Sequence, residues 1–329
     1  MSVQLSPFRL EATELALSNI LSLHEPVDLS LHKLFRSLPK LGVQDRFFVA
    51  ENCYTILRFL RRLEWICQDN ITPRRIFLAN LLYYQGFSIR EISSHIHSKE
   101  TKWLEYSRNL TLPATNPALT LNLPDWLYIK LSQIFEPEEL TQLAYSLNSP
   151  ASLDLRVNSL LGRRPEILSR LQNKNIASAL TPYAPLGLRL DNKMDLVHLD
   201  LFKEGIIEVQ DEGSQLICQL MEAKRHERIA DFCAGAGGKS LALSADMKSS
   251  GQIYAFDISE KRLAKMRPRL RRSTSTNIQP IRIESEHDPK LERYQARMDR
   301  VLVDAPCSGL GTLRRNPELK WRQSPDTIA

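Results

Sequence analysis

From Ser6 to about Ile92 apolar side chains return every three to four positions, the period of a helix with one buried face. In ILRFLRRLEWIC, Ile56, Phe59, Leu60, Leu63 and Ile66 share that face. Ser6 before Pro7 is a helix start, so this stretch predicts an all-helical domain over residues 1–110. Residues 111–125, TLPATNPALTLNLPD, carry three prolines without helical period and predict a linker, with a connecting helix up to 145. SLDLRVN then alternates as a strand, RPEILSRLQNKN repeats as a helix, and GLRLD and GIIEVQD read as strands, which predicts a small α/β module over 146–225.

From Arg228 the pattern becomes strand (RIADF), glycine turn, helix (GKSLALSADMK), strand (QIYAFDIS), helix (EKRLAKMRPRLRR) and two strands (IQPIRIE, RVLVDAP). Such alternation predicts a parallel, doubly wound sheet over 226–329, with ligands at the carboxyl ends of the strands, where the glycine turn falls. The expected fold class is multidomain: all-α, then a small α/β module, then a Rossmann-like α/β domain represented by its first four strands. No internal repeat or low-complexity tract interrupts it.

Composition adds bounds. With 43% hydrophobic and 25% charged residues in 329, the chain is that of a globular protein of two or three domains. A net charge of +6 suits a polyanion, although proteins that bind none share so small an excess. Arg58, Arg61, Arg62, Arg74 and Arg75 could touch RNA phosphates, but the solvated face of an ordinary helix is the preferred reading. Cys53, Cys67, Cys218, Cys233 and Cys307 are scattered without a CxxC pair, which argues against a disulfide framework or zinc site. The first twenty residues lack a signal-peptide core and no apolar run reaches membrane-spanning length, so a cytoplasmic, metal-free monomer is expected.

The chemistry concentrates in the last hundred residues. DFCAGAGGKS ends like a phosphate-binding loop, but Cys233 stands where that loop needs its first glycine, and the dinucleotide spacing is missing. Asp257, about twenty residues on at the end of the next strand, can accept from both hydroxyls of a ribose. S-adenosylmethionine, a nucleoside without a pyrophosphate, suits turn and acid better than a dinucleotide. DAPCSG then brings Asp304 and Cys307 to the mouth of the same site. Asp304 alone could be the magnesium acid of an NTPase, but that leaves the Pro-Cys unexplained. As a base-binding loop, Asp304 hydrogen-bonds the edge of an extruded pyrimidine and Cys307 sets a thiol beside the ring. C5 of cytosine is a poor nucleophile until a thiolate adds at C6, so bare chemistry makes Cys307 the nucleophile.

These motifs, with AFDISEKRL, DRVLVDAPCSGLGTLRRNPELKWR and the upstream LRVN and VQDEGSQL, resemble the RsmB/Sun family of RNA cytosine-5 methyltransferases over residues 146–329. DRFFVAENCYTILR is similar, more loosely, to the NusB-like RNA-binding domain of bacterial ribosomal members. The resemblance implies that Cys233, Ala234, Gly235, Ala236, Gly237, Gly238 and Lys239 form the S-adenosylmethionine loop, joined by Asp304, and that Asp257 holds the ribose. An acid after the third strand meets the adenine: Glu284, with Glu286 and Asp288 as alternatives. Arg156 and Asn158 of LRVN, and Arg314 and Arg315, are then RNA contacts, and the target is small-subunit (16S) ribosomal RNA.

Two departures qualify it. Ala236 stands where the family usually has proline, which alanine tolerates. The family's attacking thiol comes from a Thr-Cys motif after a fifth strand, with the cysteine matching Cys307 assisting product release; this chain ends at KWRQSPDTIA, before such a motif. The expectation is therefore a truncated, inactive methyltransferase, the alternatives being a non-catalytic RNA-binding or assembly protein and, further off, a P-loop NTPase.

Overall fold

The computed structural model describes residues 5–192 and 194–328. They form two compact units, one running to Ala151 and resumed from Ser308, the other Ser152–Cys307. Among the described residues no helix is long and apolar enough to cross a membrane.

The first unit is helical, as its period predicts: α1 (Pro7–Ile20), α2 (Val27–Ser37), α3 (Val43–Cys67), α4 (Pro73–Tyr83), α5 (Ile89–Ser93), α6 (Ser98–Ser107), α7 (Pro117–Thr120), α8 (Asp125–Ser132) and α9 (Pro137–Asn148). Ser6 caps α1, its hydroxyl accepting from the Arg9 amide at 3.3 Å. Ile56, Leu60, Leu63 and Ile66 are buried along α3 as the pattern requires, while half-buried Phe59 departs from helical geometry (φ −118°, ψ 21°) and stacks on Tyr84. Of the arginines weighed as RNA contacts, Arg58 is buried, Arg61 binds the Leu123 carbonyl and Asp125, each at 2.6 Å, and Arg74 pairs with Glu14 and Glu100.

The predicted linker is instead core. Leu121, Leu123 and Leu127 are buried in a cluster with Leu140, Ala144 and Leu313, because the chain there packs its leucines rather than spanning open solvent. Leu313 shows a second difference: the segment from Ser308, with α10 (Leu319–Arg322), belongs to this helical unit rather than to the Rossmann-like domain.

What draws it there is a polar socket at the α3 kink. The irregular turn frees two carbonyls, which Trp321 Nε1 (to Leu57) and Lys320 Nζ (to Arg58) reach at 2.7 Å. The Arg62 amide turns away to Asn122 Oδ1 at 3.2 Å. Lys320 Nζ also donates to the Asn122 carbonyl at 2.8 Å and Asn148 Oδ1 at 2.6 Å, which uses all three ammonium donors.

The second unit holds two sheets. The first is antiparallel in the order β2 (Ser178–Leu180), β3 (Gly187–Leu190), β1 (Leu153–Val157), β4 (Ile207–Val209). Leu155 and Val157 bury one face of β1 against α11 (Arg164–Asn173), and Asp154 and Arg156 occupy the other. After α12 (Asp200–Lys203) and α13 (Glu212–Leu220) comes the predicted parallel sheet, in the order β7 (Ile278–Arg282), β6 (Gln252–Asp257), β5 (Arg228–Asp231), β8 (Arg300–Leu302). Pro280 is tolerated because β7 is an edge strand. α14 (Gly238–Asp246) follows β5 and α15 (Glu260–Ser273) follows β6.

Burial holds the Lys320 pKa well below the ordinary lysine value. The unfolded chain therefore binds that proton more tightly, and stability rises with pH from the folded value up to the unfolded one. Lys320→Met, which keeps the stem but strands three buried acceptors, should cost about 2–4 kcal/mol in denaturant unfolding and flatten the alkaline rise. A variant as stable as the parent across pH would show that the socket contributes nothing.

Candidate active site

β5 ends at Asp231 and α14 begins at Gly238, so residues 232–237 must reverse the chain. Gly235 (φ 56°) and Gly237 (φ 79°) take left-handed conformations. At 237 glycine is also a steric demand, since a Cβ would stand 2.5 Å from Met266 Cγ. At 235 it is the reverse: a Cβ would meet nothing within 4 Å, so the turn borders open space. The Ala234 amide anchors the turn to the Phe256 carbonyl at 2.9 Å, and the amide of Gly235 donates to Asp257 Oδ2 at 2.8 Å.

Three acids gather around this turn. Asp257 is buried, its other oxygen accepting from the Ser259 amide at 2.7 Å, so one carboxylate ties the turn to the start of α15. Asp231 is buried too; Oδ2 accepts from the Ser240 hydroxyl at 2.6 Å and Oδ1 has no hydrogen-bond partner among the described residues. Desolvation pushes its pKa from 3.8 up to about 6. Asp304, after β8, is half exposed and forms an ion pair with Lys239 of α14. Cys233 lies within the fields of all three carboxylates, and burial, then those charges, raises its pKa. Cys307 is exposed three residues beyond Asp304. A cavity of about 680 Å³ opens beside the first residue of this turn, lined by Phe232, Phe256 and Tyr294.

Residues 218–329 match the family described as 16S rRNA methyltransferase RsmB/F, and 123–197 match the ferredoxin-like domain of RsmF/B-like methyltransferases. The probable ribosomal RNA small subunit methyltransferase B of Synechocystis sp. is 38% identical over 63% of this chain and 47% of its own length. The ribosomal RNA small subunit methyltransferase B of Vibrio cholerae is 30% identical over 94% of this chain and 77% of its own. The chain belongs to the RsmB/F methyltransferase family. It thus spans about half of the first relative and three quarters of the second. A methyltransferase homolog protein from Pyrococcus horikoshii shares the fold, with a TM-score of 0.55 and 28% identity over 62% of this chain and 67% of that one.

The methyl donor of RsmB/F enzymes is S-adenosylmethionine, and the turn fits it. The open side of Gly235 leaves room for a ligand, and the orphaned Asp231 Oδ1 is an acceptor for a cationic donor such as its ammonium. Among the described residues no group of three or more His, Cys, Asp or Glu could hold a metal ion. Of the acids weighed for the adenine, Asp288 is already committed: its oxygens accept from the Glu284 and Lys290 amides at 2.8 and 2.9 Å, and those bonds, that to Lys290 first, lower its pKa. Glu284 and Glu286 are exposed.

The expected RNA contacts fare differently. Arg156 and Asn158 are buried, against the expectation: Arg156 Nε donates to Gln210 Oε1 at 2.6 Å, and Asn158 Nδ2 to the carbonyls of Gly205 and Ser273. Both join β1 to neighbouring segments, and neither offers a surface to a polyanion. Arg314 is half-buried, donates to the Pro150 carbonyl at 2.8 Å and, with exposed Arg315, lies in the helical unit. Sequence reasoning missed Asp231, whose only signal was its place at the end of the first parallel strand.

Because the folded state raises the Asp231 pKa, its stabilising contribution is complete below pH 3.8 and is lost as pH rises through about 6. Asp231→Asn should abolish that loss, worth up to about 3 kcal/mol. Unfolding free energies of both proteins from pH 4 to 7 test it; parallel curves would mean that the carboxyl titrates normally.

Proposed function

We propose that this protein transfers a methyl group from S-adenosylmethionine to C5 of a cytidine in small-subunit ribosomal RNA. The observation that carries this reading is the junction of Asp257 with the Gly235 amide at the open side of the turn. Each Asp257 oxygen has spent one lone pair on a backbone amide and keeps another for a ribose hydroxyl. The cofactor supplies an electrophilic methyl group. The described residues bind and orient: the turn holds the nucleoside, and Lys239 fixes Asp304 where it can accept a hydrogen bond from an extruded pyrimidine, while the thiolate that adds at C6 to activate C5 comes, in this family, from a Thr-Cys motif. Cys307 follows on the same loop as a thiol beside the ring: once the methyl is on C5, loss of the C5 proton breaks the C6–S bond and expels the attacking thiolate, and Cys307 assists that release.

The target nucleotide class rests on the family and on the names of its ribosomal relatives. Calorimetry with S-adenosylmethionine tests the cofactor half directly. The chain should bind it, and Asp257→Ala should weaken binding by about 1–3 kcal/mol, the cost of hydroxyls left unpaired. No heat from the unmutated chain would end this reading; equal affinity in the variant would remove Asp257 from the site.

A further inference from the structure

The cations of α15 fall into two groups. Lys261, Arg262, Lys265, Arg267 and Arg271 are exposed, whereas Arg269 and Arg272 turn inward to one buried carboxylate, Glu208 of β4. Each oxygen of Glu208 takes one guanidinium through two N–H groups: Oε2 from Arg269 at 3.1 and 3.0 Å, Oε1 from Arg272 at 2.9 and 2.7 Å. Paired so, both arginines are held in one orientation. Arg272 lies over the Phe202 ring at 4.1 Å. Arg269 has one nitrogen left, and Nη1 donates to the carbonyl of Ala236 at 2.8 Å.

That carbonyl sits between the two left-handed glycines, at the centre of the turn. The arginine also stands close behind the start of α14, its Nη2 3.6 Å from where a Cβ on Gly238 would be. The antiparallel sheet thus reaches the turn through one chain of bonds, Glu208 to Arg269 to the Ala236 carbonyl. Arg272 shares the same carboxylate but ends on an aromatic ring instead.

We propose that Glu208 is a positioning residue for the cofactor loop, acting through Arg269. It fixes the guanidinium that holds the Ala236 carbonyl, and so sets the open side of Gly235 and the amides that begin α14. The inference rests on the reading that this turn binds S-adenosylmethionine. It gives the antiparallel module a task in cofactor binding, separate from any contact with RNA.

The test compares two variants that remove equal charge from the same carboxylate. Arg269→Met breaks the bond to the turn; Arg272→Met does not touch it. With S-adenosylmethionine in the calorimeter, Arg269→Met of the 329-residue chain should bind about tenfold more weakly and Arg272→Met within about twofold of the parent. Hydrogen exchange at the amides of 234–238 should accelerate in the first and not in the second, with or without cofactor. Arg269→Lys should restore part of the affinity. Should Arg269→Met fail to fold, Glu208→Gln, which keeps the shape but loses the charge and one of the two acceptor oxygens, takes its place and should show a loss in the same direction. Equal effects of the two arginine variants, or no effect of either in a chain that binds, would overturn the inference alone. No binding by the parent would overturn the cofactor reading and this inference with it.

Discussion

The site depends on one steric constraint. Between Asp231 and Gly238 the chain must pass from a strand into a helix through two left-handed residues, with Met266 filling the place where a side chain at 237 would go. Only glycine meets both conditions at 237. Once the turn is made, the Gly235 amide points at Asp257, the Ala236 carbonyl at Arg269, and Lys239 at Asp304. These partners come from two further strand ends and a helix, so the turn is the point at which separate elements of the second unit agree on a geometry.

The acids around it play unlike parts because their surroundings differ. Asp257 is buried but has two amide donors. Asp231 is buried with one oxygen unpartnered, and its pKa rises. Asp304 is half exposed beside a lysine. Three carboxylates at the ends of parallel strands thus present a bracing acceptor, an unfilled acceptor and a solvent-facing one. Ligand sites at the carboxyl ends of parallel strands gain selectivity from such differences.

The helical unit rests on a different device. An ammonium with three carbonyl-type acceptors sits at a kink in its longest helix, and the tryptophan beside it satisfies the other freed carbonyl. The buried lysine costs desolvation, which well-made hydrogen bonds offset. Its effect is to specify which segment closes this core: the one that follows the Asp304 loop rather than the residues nearest in sequence.

Much was legible in the order of residues. Alternation located the strands and their parallel arrangement, helical period located α3 and its buried face, and the glycine turn with Asp257 and Asp304 marked the candidate site, because these signals arise from neighbours along the chain. Partners distant in sequence were not legible. Arg156 and Asn158 look like surface RNA contacts until β4 and the end of α15 close over them. Arg269 is indistinguishable from Arg267 or Arg271 until one buried carboxylate turns it inward. Leu121 and Leu123 read as a proline-rich linker, and Lys320 as another cation, until the helical core supplies their neighbours. Local pattern settles what an element is and which residues can carry chemistry. Whether a charged side chain meets solvent, a ligand or a protein acceptor depends on packing between segments as far as 299 residues apart, which no local period encodes.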